Sequence, residues 1–136
     1  MKALPDLGSD RPLLDKLGVK PGMRVSLLGA GDDAFRELLA GRTDDLHDAP
    51  AKDSDLVFFM AGDPADLERL KALRRVIKED GAVWVLRRKG AGRSLREIDI
   101  IEAAAAAGLV DNKIAAFSDE LAAMRLVVRL VDRGRS

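Results

Sequence analysis

The sequence predicts a three-layer α/β domain: a mainly parallel sheet, helices on both faces, and an antiparallel hairpin at its C-terminal edge. Three observations carry this. Short apolar runs alternate with segments whose apolar residues recur at helical spacing, the pattern of a parallel sheet with crossover helices. Glycine or proline punctuates most of the junctions. The last two strand-like runs have no long helix between them, so they close antiparallel.

Each element follows from local signals. Residues 1–10 read as a flexible lead, and 11–133 as a single domain. Pro12 suits the first turn of a helix, Leu13, Leu14 and Leu17 give it an apolar face, and Gly18 stops it. Lys20-Pro21-Gly22 is a turn, and Met23 to Leu28 a strand broken by Gly29-Ala30-Gly31. Asp32 or Asp33 is placed to cap a helix bearing Phe35, Leu38 and Leu39 that ends near Gly41. Arg42 to Ser54 is polar, with only Leu46 and a few alanines for a short strand. Asp55 to Met60 reads as a strand buried on both faces.

Asp63-Pro64 then opens a helix as N-cap and first residue, followed by Leu67, Leu70, Leu73, Val76 and Ile77 at helical spacing and a stop at Gly81. Ala82 to Leu86, with the single tryptophan Trp84, is another buried strand. Arg87 to Arg93 is a basic, glycine-containing loop. Ser94 and Glu97 form a capping box for a helix whose face is Ile98, Ile101, Ala104 and Ala105, stopping at Gly108. Lys113 to Phe117 and Met124 to Val131 are the hairpin strands. Phe58, Phe59 and Phe117 belong to the core.

Composition narrows the function classes. The 136 residues fit one domain and bury enough surface to fold without staples. Lys plus Arg and Asp plus Glu are 23 each, so no global field draws in nucleic acid or an anionic membrane. There is no cysteine, which removes thiolate zinc sites, cysteine nucleophiles and disulfides. Met1 to Asp10 lacks the apolar core of a signal peptide, and no run reaches the ~20 apolar residues of a membrane span. The expectation is a soluble, cytoplasmic protein.

The run Leu17-Gly18-Val19-Lys20-Pro21-Gly22-Met23-Arg24-Val25, followed by Gly29-Ala30-Gly31, resembles the S-adenosylmethionine-dependent methyltransferases of the Rossmann-like class. The stretch Leu73 to Leu86, with its Glu79-Asp80-Gly81 turn, and the closing hairpin are similar to the same family. A closer likeness is to a group of short bacterial proteins known as a domain of unknown function. It is suggested by Leu17 to Val25, the Trp84 strand with its basic loop, and Gly108-Leu109-Val110-Asp111-Asn112-Lys113. The likeness implies the fold and carries no known activity.

The candidate sites each have a plain structural reading beside the functional one. Gly29, Ala30, Gly31 and Asp32 are the candidate cofactor loop, since a glycine turn after a strand lets backbone approach a ligand. The methyltransferase pattern has an acid two positions before the first glycine and a third glycine two after the second; here those positions hold Leu27 and Asp33. The plain reading is a helix cap and a chain turn. Asp44, Asp45 and Asp48 lie where a ribose-binding acid would fall. Asp63-Pro64 stands where amino-methylating members carry an acidic-or-amide, Pro-Pro, aromatic motif, but a helix cap explains it. His47, the only histidine, reads as a solvated loop residue without partner or metal mate. Arg87, Arg88, Lys89 and Arg93 are the candidate anion site; without interleaved aromatics, and with no tyrosine anywhere, nucleic acid is disfavoured.

No catalytic residue and no metal ligand is assigned. The expectation is a non-catalytic, methyltransferase-like domain that binds a small ligand or protein partner, with no cofactor required. One alternative is an active small methyltransferase that uses S-adenosylmethionine through an altered loop. The other is a phosphate- or nucleic-acid-binding module built on Arg87–Arg93. The partner is open, and the edge strands of the hairpin offer a surface for homo-oligomer formation.

Overall fold

The structure, a computed structural model, describes residues 13–29, 33–90 and 95–129. Helix α1 covers residues 13–17. There follow β1 (Val25–Leu28), α2 (Asp33–Ala40), β2 (Leu46–His47) and β3 (Ser54–Met60). A 3-10 helix (Pro64–Arg69) runs into α3 (Leu70–Val76), then come β4 (Ile77–Arg88), α4 (Glu97–Ala106), β5 (Leu109–Ala116) and β6 (Leu121–Val128).

The six strands form one sheet in the order β2-β1-β3-β4-β6-β5. β1 pairs parallel with both β2 and β3, and β3 parallel with β4. β6 runs antiparallel between β4 and β5. The three-layer, mainly parallel fold with a closing antiparallel hairpin is therefore what the alternation implied. Apolar residues on the two sides of each strand feed two separate cores. Leu28, Val57, Phe59, Val83, Val85 and Leu126 pack under the 3-10 helix, α3 and α4. Val25, Leu27, Phe58, Trp84 and Leu86 pack under α1 and α2.

Trp84 ties α1 to the sheet: its fully buried indole N–H donates to the Leu17 carbonyl at 3.0 Å. From the edge strand, Lys113 Nζ donates to the Lys16 carbonyl at 2.8 Å. Two orphan carbonyls of a five-residue helix are thus satisfied by side chains distant in sequence.

Several local expectations shift. The first strand begins at Val25 rather than Met23, because the Met23 carbonyl instead accepts from Thr43 Oγ1 at 2.6 Å. Gly81 does not end a helix. The helix ends at Val76, and Gly81 lies inside β4 at a register break where Ser54 faces Ile77 but Leu56 faces Ala82. Lys78 to Asp80 bulge into solvent there, and Gly81 is pressed against β3. The fourth helix starts at Glu97 with Arg96 as its cap residue, whose amide is held by Asp99 Oδ2 at 2.9 Å; Ser94 lies outside the described residues. Its buried face is Ile100 and Ala104, while Ile98 is exposed, so the expected face was a fraction of a turn out of phase. The hairpin strands extend further toward the N-terminus than expected, from Leu109 and Leu121.

The link between β2 and β3 is only residues 48–53, although it must pass over β1 from one side to the other. Parallel strands are ordinarily joined by a dozen or more residues, usually a helix. Here a buried serine pair replaces the helix. Ser26 Oγ accepts the Ala51 amide at 3.1 Å and lies 2.8 Å from Ser54 Oγ, which donates to the Ala51 carbonyl at 2.5 Å. Both serines are fully buried, and between them they satisfy the Ala51 amide and carbonyl. No helix among the described residues is long and apolar enough to cross a membrane.

Candidate functional site

The four parallel strands β1 to β4 all end on one rim. The chain leaves β1 to form β2 on one side, then returns to form β3 on the other, so the strand order reverses at β1. In open α/β sheets a crevice forms at such a reversal, outside the carboxyl ends. On this rim β1 is followed by Gly29, whose φ of +66° is a conformation other residues rarely adopt. Ala30, Gly31 and Asp32, the rest of the expected cofactor loop, lie outside the described residues. Asp33 is the first residue inside α2, an acid in its first turn rather than its cap. Leu27 is buried in the α1–α2 core.

The three candidate ribose acids separate clearly. Asp44 and Asp45 precede β2 and stand at the amino end of the sheet, away from the rim. Asp48 follows β2 directly, one residue beyond His47, which is level with Ser26 of β1. It falls 19 residues after Gly29, near the ~20 that separates a glycine turn from a ribose-binding acid in dinucleotide folds. Asp48 is 75% exposed and is paired with Arg36 of α2 through both carboxylate oxygens.

At the end of β3, Asp63 and Asp66 are committed to backbone. Asp63 caps the 3-10 helix by accepting from the Asp66 amide, with Pro64 next, as the plain reading had it. Asp66 Oδ2 in turn accepts the Gly62 and Asp63 amides at 2.7 and 3.2 Å. At the end of β4, Arg87 is largely buried and pairs with Glu97 at 3.2 Å. Arg87, Lys89, Gly90, Arg96 and Glu97 line a basin of about 360 Å³ at the N-terminus of α4. Arg96 is itself paired with Asp99, which raises its pKa. The side chains of Arg88 and Lys89 have no ionic partner among the described residues, and Arg93 lies outside them.

A second polar cluster occupies the opposite, amino end. Arg24 Nε meets Asp45 Oδ2 at 3.1 Å, and Asp45 Oδ1 meets His47 Nε2 at 2.6 Å. Asp55 accepts the Arg24 amide and pairs with Lys78 at 3.1 Å. The hydrogen bond to His47, then that to Arg24, holds the Asp45 carboxyl below the usual carboxylate range. His47 is therefore not a lone loop residue but a half-exposed β2 residue with a carboxylate partner. The alternation Asp45-Leu46-His47, which puts both polar side chains on one face of a strand, was the signal available in the sequence. No group of three or more His, Asp or Glu among the described residues is arranged to hold a metal ion.

No curated protein matches the chain. Solved structures do. A magnesium protoporphyrin IX methyltransferase from Synechocystis PCC 6803, with bound S-adenosylhomocysteine, matches with a TM-score of 0.62 at 12% identity, over 90% of this chain and 84% of that one. A SAM-dependent methyltransferase from Aquifex aeolicus gives 0.61 at 13% identity, over 88% and 89%. A TehB-like SAM-dependent methyltransferase from Corynebacterium glutamicum gives 0.58 at 15%, over 88% and 87%. At these identities the likeness is one of fold: the chain has a methyltransferase-like, Rossmann-like architecture. Residues 14–130 match the model of one family, described as a protein of unknown function (DUF3052), and to that family the chain belongs.

Proposed function

We propose that this chain binds a ligand with an adenosine-type nucleoside at the carboxyl rim between Gly29 and Asp48, as a methyltransferase-like domain that does not itself catalyse methyl transfer. One observation carries the reading: an acid, Asp48, directly follows β2, which pairs with the strand that ends in the Gly29 bend, where the strand order reverses. A carboxylate there can accept both hydroxyls of a ribose. The similar structures solved with bound S-adenosylmethionine or S-adenosylhomocysteine supply the ligand class.

The fit to S-adenosylmethionine is good for its ribose and poorer for its amino-acid tail. Asp48 and the Gly29 backbone would hold the nucleoside. Leu27, in the place where the methyltransferase pattern puts an acid, is turned into the core and offers the tail nothing. When bound, S-adenosylmethionine supplies an electrophilic methyl group. The rim acids Asp63 and Asp66 are engaged as helix caps, which supports a binding rather than a proton-transfer role.

Calorimetric titration with S-adenosylhomocysteine and with adenosine tests this. Micromolar to submillimolar binding is expected, weakened about tenfold or more in Asp48→Asn, since a hydrogen bond to a charged group is worth ~1.5–3 kcal/mol. Absence of heat and of thermal shift at millimolar ligand defeats the proposal. Turnover of methyl-labelled S-adenosylmethionine with any acceptor would defeat its non-catalytic half.

Arg88 and Lys89, with no ionic partner among the described residues, favour one second reading, an anion site at the end of β4. Phosphate binding there should weaken with salt and in Arg88→Ala/Lys89→Ala. Binding insensitive to both would remove it.

A further inference from the structure

Asp48, the proposed ribose acceptor, is already occupied. The Arg36 guanidinium, within the first turn of α2, takes both carboxylate oxygens, Nη2 meeting Oδ2 at 3.2 Å and Nη1 meeting Oδ1. Those are the atoms that a ribose 2′,3′-diol would need. We infer that Arg36 is a latch on the ligand site: a nucleoside with a free diol is admitted only as the guanidinium gives up the carboxylate. The inference rests on the nucleoside reading above and adds a residue to it that determines which ligands enter and how tightly.

The placement argues for a latch rather than a simple brace. α2 starts four residues after Gly29, and β2 is the direct neighbour of β1. An ion pair from α2 to the residue after β2 therefore ties together the two elements that follow the Gly29 bend. Arg36 is the sole partner of the Asp48 carboxylate among the described residues. The energetics also suit a contact that opens. Arg36 is 41% and Asp48 75% exposed, and a solvent-exposed pair contributes about 1 kcal/mol or less. A ligand giving two hydrogen bonds to the same carboxylate outcompetes that. The pair also neutralises a cation in the first turn of α2, an unfavourable place for positive charge. Once released, the already half-exposed guanidinium can be rehydrated at little cost.

The test compares adenosine with 2′,3′-dideoxyadenosine, which lacks both hydroxyls, on the full chain and on Arg36→Ala. Removing the latch should tighten adenosine about two- to fivefold, the most that an exposed pair of ~1 kcal/mol can hold back. The dideoxy compound should bind both proteins equally, because it never competes for Asp48. Adenosine affinity in the parent protein should also gain on raising salt, and Arg36→Ala should lose that gain. Unchanged or weaker adenosine binding by Arg36→Ala, with an unchanged far-ultraviolet spectrum, overturns the latch and makes Arg36 a brace. Equal tightening of both nucleosides overturns it as well, since the effect would then not pass through the diol. If Asp48→Asn binds adenosine as well as the parent, the ribose reading fails and the latch goes with it. If that variant is weakened but Arg36→Ala is not improved, the latch alone fails.

Discussion

Gly81 shows how one missing Cβ fixes the path of the longest strand. A methyl group added there would lie 2.9 Å from the Asp55 carbonyl oxygen and 3.0 Å from that of Ser54, both backbone atoms that cannot swing aside. Gly81→Ala should therefore destabilise by about 1–3 kcal/mol, read as a lower denaturant midpoint at unchanged slope. A midpoint within error of the parent would show that the bulge can relax. Trp84→Phe keeps most of the buried ring but orphans the Leu17 carbonyl; a loss of ~1–3 kcal/mol is expected in the same measurement. Asp45 carries a pH dependence. Its folded pKa is depressed by His47 and Arg24, so its contribution is in place above the ordinary carboxylate pKa of 3.8. That contribution is lost as the pH falls through the lower, folded value. Asp45→Asn should thus flatten the fall in melting temperature below about pH 4 and leave the neutral-to-mildly-acid range nearly parallel to the parent. A parallel fall throughout would remove Asp45 from the acid response.

At the scale of elements, the crossing of β1 by residues 48–53 depends on two hydroxyls rather than on a helix. Ser26 and Ser54 share one hydrogen-bonded chain with the Ala51 backbone, so either alone, changed to alanine, leaves buried polar groups unpaired. Each single variant should lose about 1–3 kcal/mol, and the double variant less than the sum. Additivity in that cycle would show that the two hydroxyls act independently. The sequence marked this region only as polar and weakly patterned, because two serines far apart carry no periodic signal. Helix α4 illustrates the opposite difficulty. Residues 97–106 combine three isoleucines with a run of alanines, so more than one face is apolar, and packing against β4–β6 chose Ile100 and Ala104. Where the apolar stripe was unambiguous, as in Leu67, Leu70 and Leu73, the expected residues are the buried ones.

For the whole molecule, the sheet order places β3 and β4 at the centre with strands on both sides, covered by both helical layers. Their amides should exchange slowest with solvent, and those of the two-residue β2 and the β5 edge much faster. Fast exchange in Val57–Phe59 or Val83–Val85 would contradict a single cooperative core. The sequence by itself determined the layers, the parallel centre and the antiparallel close, because strand burial and helical periodicity are local properties of the chain. It also placed the glycine bend after β1. Only the tertiary structure paired Asp48 with Arg36 and Asp45 with Arg24, and gave His47 its carboxylate. Those relations depend on which strand ends meet in space, and partners separated by 12, 28 or 67 residues leave no pattern that spacing along the chain can reveal.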